Sequence, residues 1–345
     1  MSRLLRRTLI AVAACIVIYG AALIYFGLDT LTAGLRNYRW SMLVVALGLS
    51  SLNYLLRFLK WELCLGWLGV RGYKGQKQRE GDAPSLSLTR SLQIYLAGLS
   101  MSVSPGKLGE VLRSSLLHSS AGVPFARTAP IVVADRLTDL IALVILMLVG
   151  LAEFPEFLVY AAITLGLVSV GVVVLGTPSL FSALLDILAR LPWIGRFSAK
   201  ARGLVDSSAT LLRLRPLAIL TAISVMGWGL ECLGYWAILH GFPGAEASLQ
   251  LCTFLWATTT VIGALSFLPG GVGATEASLG TMVREFAVGI SEPIMLASTL
   301  VIRLCTLWYG ELVGAICLVL PMERSESEAA FQDPPTATAA DKQSP

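Results

Sequence analysis

SMSVSPGKLGEVLRSSLL, residues 100–117, interrupts a chain otherwise written largely in Leu, Val, Ala and Ile. Within it stand a Pro-Gly pair, Pro105 and Gly106, a further glycine, Gly109, and three charges, Lys107, Glu110 and Arg113. The mixture makes a poor membrane helix and an equally poor soluble core. Pro105 lacks an N–H and disfavours helix in the residue before it, while Gly106 and Gly109 permit backbone angles and close approaches that other residues cannot reach. These residues predict a helix that breaks at the proline and restarts near Leu108. Backbone groups freed at membrane depth are tolerated only when buried in protein or lining a watery cavity, so the break marks a polar interior. The restarted helix would aim its first N–H groups at that cavity, a ready site for an anion such as phosphate.

The rest of the chain supplies the membrane. Of 345 residues, 55% are hydrophobic and only 14% charged, against about 25% charged in an average soluble domain, and mean hydropathy is +0.74. Runs of about 20 apolar residues suffice to cross a hydrocarbon core. They are predicted over 9–28, 40–68, 128–151, 157–175, 216–240 and 293–320. The first has a basic start, but its apolar part is too long for a signal peptide and no A-x-A cleavage site follows, so it reads as a span. Two further apolar segments, 88–119 and 247–288, are each cut near the middle by Pro-Gly. The expected fold is an all-α polytopic membrane protein, about six full spans plus two Pro-Gly-broken re-entrant helical hairpins, in a single membrane domain over 1–322. Residues 178–215 read as an amphipathic cytoplasmic connector, and 323–345, polar and rich in Pro, Ala and Ser, as a disordered tail. The six cysteines are scattered singly and the two histidines stand apart, so neither a disulfide framework nor a metal site is expected.

Lys and Arg concentrate in the loops at 71–90 and 190–215 and are absent from AEFPEF and GFPGAEAS. By the positive-inside rule the former face the cytoplasm and both termini lie inside. The two broken segments then read alike. Pro105-Gly106-x-x-Gly109-Glu110 parallels Pro269-Gly270-Gly271-x-Gly273 with Glu276 beyond it, and each is followed by an arginine inside the next span, Arg136 and Arg303. By the count of crossings the first enters from the cytoplasm and the second from outside. That predicts an inverted repeat, about 40–151 and 216–320, an architecture of transporters in which substrate is handled where discontinuous helices meet.

Charges stand deep in the spans. Asp135, Arg136 and Asp139 are expected about 10–17 Å into a helix starting near Thr128, at about 1.5 Å per residue. Facing lipid as ions they would cost roughly 8–10 kcal/mol together, so they must face inward and pair, with Arg57, Lys107 or Arg113 as partners. Arg57 and Lys60, nearer a helix end, read rather as snorkelling residues, and Glu311 has no evident partner. One reading makes these charges ion pairs that lock helices together. The other has Lys107, Arg113, Arg136 and Arg303 binding a headgroup phosphate while Glu110, Asp135, Asp139, Glu231 and Glu276 balance charge, bind an amine or relay protons.

These residues resemble a known family, the membrane region of lysylphosphatidylglycerol synthases and the stand-alone flippase-like proteins built from that region. Its P-x-x-x-G-E-x-x-R-x-x-L-L pattern is matched by Pro105, Gly109, Glu110, Arg113, Leu116 and Leu117, its acid-Arg-x-x-Asp span by Asp135, Arg136 and Asp139, and its P-G-G-x-G-x-x-E by Pro269, Gly270, Gly271, Gly273 and Glu276. The resemblance implies a lipid-handling protein, in some members a flippase for an anionic or aminoacylated phospholipid. No aminoacyltransferase domain is expected after the last span, where only the polar tail 323–345 is read, and position 135 is Asp where Glu is more usual. The expected activity is therefore transport of a phosphate-bearing lipid across the cytoplasmic membrane, without catalysis, cofactor or nucleic acid. A polytopic lipid-linked transferase and a non-catalytic scaffold subunit are the alternatives.

Overall fold

The computed structural model describes residues 28–70, 86–103, 109–151, 210–266, 268–287 and 289–321, with scattered positions between 159 and 187. The predicted first span up to residue 27, the loop at 71–85, most of 157–175 and of the connector, and the tail lie outside the described residues. So do Pro105, Gly106 and Lys107. What is described is all helical, with no strand among the described residues.

Helix α1 (Leu28–Leu35) forms two helical turns between the predicted first and second spans. Thr32 hydroxyl donates to the Asp29 carbonyl at 3.1 Å, absorbing one polar group locally. Helix α2 (Trp40–Trp67) follows. The first broken segment forms α3 (Leu88–Ala97), opened by the Ser87 hydroxyl capping the Arg90 N–H, then a 3-10 turn (Gly98–Met101). The chain resumes helix as α4 (Gly109–Ala121). Helix α5 (Phe125–Gly150) starts three residues before the expected Thr128, immediately after Pro124. Proline suits the edge of a helix because its missing N–H would be unpaired there.

The second half runs in the same order. Helix α6 (Leu214–His240) is followed by α7 (Leu249–Leu265), capped by the Ser248 hydroxyl. A 3-10 turn over Pro269–Gly271 marks the second break, and α8 (Ala274–Phe286) resumes the helix. Gly270, Gly271 and Gly273 have φ of 61°, 67° and 90°, left-handed conformations in which a Cβ clashes. This is why the motif needs three glycines. The last span is α9 (Glu292–Arg303), a π-helical turn (Leu304–Trp308) and α10 (Tyr309–Val319).

Among the described residues three helical stretches are long and apolar enough to cross a membrane by length and composition, Trp40–Trp67, Leu214–His240 and Glu292–Val319. Helix α5, at 26 residues, is about 39 Å long but carries Asp135, Arg136 and Asp139 near its middle.

The tightest pairing is α2 against α6. Contacts run Arg39 to Gly241, Asn53 to Glu231, Arg57 to Trp228 and Lys60 to Ser224. Numbers rise on one helix as they fall on the other, so the two are antiparallel. The flanking helices exchange partners between halves. The end of α5 lies on α7, where a Cβ on Gly150 would come within 2.7 Å of the Phe254 nitrogen. Reciprocally α10 lies on α3 and its 3-10 continuation, where a Cβ on Gly314 would come within 2.7 Å of the Leu99 carbonyl carbon. One apolar core gathers α5, α6, α7, α8 and α9 around Tyr235, Phe254 and Trp256, and a second gathers α2, α3, α4 and α5 around Trp61, Leu65 and Leu117.

Candidate functional site

The charges of α2 and α5 meet. Lys60 is 1% exposed. Its ammonium is 2.6 Å from Asp135 Oδ1 and 2.9 Å from Asp139 Oδ1, and it donates to Ser224 Oγ on α6 at 2.8 Å. Arg57 Nη2 is 2.9 Å from Asp139 Oδ2, and its guanidinium lies 4.7 Å from the centre of the Trp228 ring. Ser224 Oγ in turn donates to Asp139 Oδ1 at 2.9 Å. Asp139 is thus fixed from two neighbouring helices, α2 and α6. Desolvating each ion costs several kcal/mol, recovered only where partners and hydrogen bonds are as complete as here.

This corrects the snorkelling assignment of Lys60 and Arg57. Asn53, Arg57 and Lys60 recur at helical spacing with Ser50 and Ala46, all on one face of α2, and Ala46, Ser50, Asn53 and Lys60 are buried. That face looks at α6 rather than at lipid. The spacing was the available signal; distance to the helix end misled. Starting at Phe125 also sets Asp135 and Asp139 deeper than expected, about 15–21 Å into α5.

A turn further along the same seam, Glu231 is 7% exposed. Its Oε1 accepts from Asn53 Nδ2 at 2.5 Å and its Oε2 from the Trp256 indole at 3.2 Å. Neither Asn53 nor Trp256 stood out in sequence as a partner, since neither carries charge.

The motif residues of the second break form a clamp. Arg303 Nε is 2.6 Å from Glu276 Oε1, and Nη2 donates to the Gly270 carbonyl at 2.8 Å. Glu276 Oε2 accepts from the Gly273 N–H at 2.7 Å, closing the first turn of α8. Arg303 therefore serves the loop itself, holding a carbonyl that the break leaves without a helical partner. Pro269 opens the turn and Gly271 lies against Gly263 of α7.

At the first break, Glu311 of α10 accepts from the Val103 N–H at 2.6 Å, which supplies the partner that sequence left blank. Arg113 of α4 is buried, its Nε donating to the Tyr95 carbonyl at 3.1 Å and its guanidinium lying 4.0 Å from the Tyr95 ring centre. It joins α4 to α3 and takes no part in the Asp135 and Asp139 network as the structure records it. Arg136 is half-buried on α5. For Gly109 and Glu110 only the backbone is described, inside α4.

The last described residue before the first break touches the second break. A Cβ on Gly270 would stand 3.4 Å from the Val103 Cα, and Val103 and Val272 pack together with Leu307 and Trp308 around them. The last span thus contacts both breaks, through Arg303 on one side of its π turn and Glu311 on the other. Tyr54 of α2 donates to the Thr306 carbonyl within that turn at 2.6 Å. No group of three or more His, Cys, Asp or Glu able to hold a metal occurs among the described residues.

Residues 9–314 match the family described as lysylphosphatidylglycerol synthase TM region. A UPF0104 membrane protein of Pyrococcus horikoshii is 24% identical over 253 residues, 66% of this chain and 73% of that protein. Another, of Methanothermobacter thermautotrophicus, is 28% identical over 123 residues, so the match spans 35% of each chain.

Proposed function

Because the chain belongs to the lysylphosphatidylglycerol synthase transmembrane-region family, we propose that it moves a phosphate-bearing lipid across the cytoplasmic membrane, through a polar groove between two halves of inverted topology. The observation that carries this reading is the meeting of the two broken segments, Gly270 against Val103, beside long apolar helices that bury charge. Three features support the inverted arrangement. The equivalent helices α2 and α6 are antiparallel, each half is cut at a Pro-Gly motif, and each half's final helix packs on the other half's broken segment.

In this reading the headgroup passes along the seam and the acyl chains stay in lipid. Arg57, Lys60 and Arg303 hold carboxylates in the resting protein. A phosphate offers the same charge and the same paired acceptor oxygens as a carboxylate, so it can replace Asp135, Asp139 or Glu276 without stranding a cation. Arg113, Arg136 and Lys107 add attraction for the same group, while Glu110, Glu231 and the released carboxylates balance charge or receive an amine on an aminoacylated headgroup. The lipid leaves chemically unchanged, both termini face the cytoplasm, and Gly270 keeps the second break thin enough to reach Val103.

Reconstitution into vesicles with leaflet-reporting labelled phospholipid tests this. Wild-type protein is expected to equalise the label between leaflets many-fold faster than empty vesicles, and Arg136→Ala to fall back toward them. Equal rates for all three reject transport. A new lipid product appearing without leaflet exchange identifies a transferase in its place.

A further inference from the structure

We propose that Glu231 is the exchange site for a monovalent cation, a proton or Na+, whose binding and release accompany headgroup movement; the coupling to transport rests on the lipid-transport reading, the site itself does not. Of the carboxylates facing α2 and α6, Asp135 and Asp139 have cationic partners, as Glu276 has at the second break, whereas buried Glu311 is met by a backbone N–H at the first. Asp135 and Asp139 have Lys60 and Arg57, and Glu276 has Arg303. Glu231 accepts only from two neutral donors, the Asn53 amide and the Trp256 indole. An ionisable group inside the membrane without a paired counter-ion is costly and marks an ion or proton path.

The second observation is the other arm of the same amide. Asn53 is fully buried, and with its Nδ2 given to Glu231 its Oδ1 has no hydrogen-bond partner. That oxygen stands against Gly227, whose missing Cβ would lie 2.6 Å from it. A buried acceptor left unpaired is costly. Rotating the amide would bring Oδ1 to the Glu231 carboxylate, where two oxygens repel unless a cation lies between them. A proton on the carboxyl would donate to Oδ1, and Na+ would be bound by both oxygens. Either cation pairs Oδ1 and neutralises the carboxylate in one step, while Nδ2 takes the place against Gly227. Occupancy of Glu231 and orientation of Asn53 are therefore linked.

The linkage reaches the ion network. The charged and titratable groups facing Glu231 are Arg57 and Tyr54 from α2, Asp139 from α5 and Arg303 from α9, with Cys232 beside it on α6. Helix α7 contributes the Trp256 indole. Arg57, one turn from Asn53, is attracted by both Glu231 and Asp139. A cation on Glu231 cancels one of these attractions and leaves Arg57 to Asp139. Release of the cation restores the competition and loosens Arg57 toward an incoming phosphate.

The test uses the purified full chain in detergent and in phosphatidylglycerol–phosphatidylethanolamine vesicles. Radiolabelled Na+ binding and the infrared carboxyl band that appears on acidification separate the two cations. Wild type and the exposed-loop control Glu246→Gln are expected to give one of these signals. Glu231→Gln, which keeps the volume and can donate to Asn53 Oδ1 as a loaded carboxyl would, should lose it while melting no lower than wild type. Asn53→Leu, which keeps the carboxylate but not the amide, should weaken it by about tenfold, the value of a lost hydrogen bond to a charged group. In vesicles an imposed gradient of the same cation should alter wild-type lipid movement and leave that of Glu231→Gln unchanged. Absence of both signals in wild type, or their persistence in Glu231→Gln, overturns the proposal whether or not lipid moves. Lipid movement in wild type that ignores both gradients removes the coupling alone.

Discussion

Lys60 illustrates how a single residue can be misread from its place along a helix. Seven residues from the end of α2, it can in principle extend to the interface, yet its ammonium is held by Asp135, Asp139 and Ser224. Removing one partner from such a network strands the rest. Lys60→Met is expected to destabilise the protein by about 3–5 kcal/mol because two carboxylates then share Arg57. Lys60→Met combined with Asp135→Asn removes one charge of each sign and leaves the pair of Arg57 with Asp139, so it should be less damaging than Lys60→Met alone. Thermal melting of the three proteins in detergent measures this, and a double variant no more stable than the single one would mean that Asp135 is not a partner of consequence. At this scale the presence of Asp135, Asp139, Glu276 and Arg303 in a polar interior was legible, since an unpaired ion in lipid is too costly. Their partners were legible only for Arg57. Asn53, Ser224 and Trp256 complete the sites through uncharged groups that leave no mark in a charge pattern.

Helices and breaks were easier to read than partners. Pro269 opens the 3-10 turn between α7 and α8, where its missing N–H is no loss, and Gly270, Gly271 and Gly273 take left-handed conformations there, while Pro105 and Gly106 lie outside the described residues. The π turn at Leu304–Trp308 was not legible. Its sequence is ordinary, and the turn is accommodated by the Tyr54 hydroxyl reaching the Thr306 carbonyl from another helix. Nor could the close approaches be assigned from glycine content alone. Gly314 and Gly150 each stand where a Cβ would meet a neighbouring backbone, while Gly48 has nothing within 4 Å. Gly314→Ala and Gly150→Ala should therefore each cost about 1–3 kcal/mol, the usual penalty of overpacking. Gly48→Ala should leave the melting temperature unchanged or raise it, because alanine orders a helix at lower entropic cost. A melt in which all three behave alike would remove the tight contact of α5 with α7 and of α10 with α3.

For the whole molecule, the antiparallel pairing of α2 and α6 makes a prediction about the membrane. Helices that cross side by side in opposite senses end on opposite faces, so the loop after α2 and the loop after α6 must be separated by the bilayer. Reporters fused at Gln76 and Pro243 are expected to score on opposite sides, with Gln76 cytoplasmic because its loop carries the Lys and Arg excess. Reporters on one side would abolish the inverted arrangement and the groove with it. By itself the sequence determined that this is a helical membrane protein, where its helices break and which ions cannot face lipid. Those conclusions follow from local rules, hydropathy, the geometry of Pro and Gly and the cost of a buried charge, that need no knowledge of neighbours. Only the tertiary structure decided which ion meets which, that Lys60 sits at the centre, that Glu231 is answered by neutral groups and that Val103 meets the second break. Such choices are made between segments distant along the chain, by packing and hydrogen-bond geometry in which many pairings satisfy the same charges and one satisfies the shape.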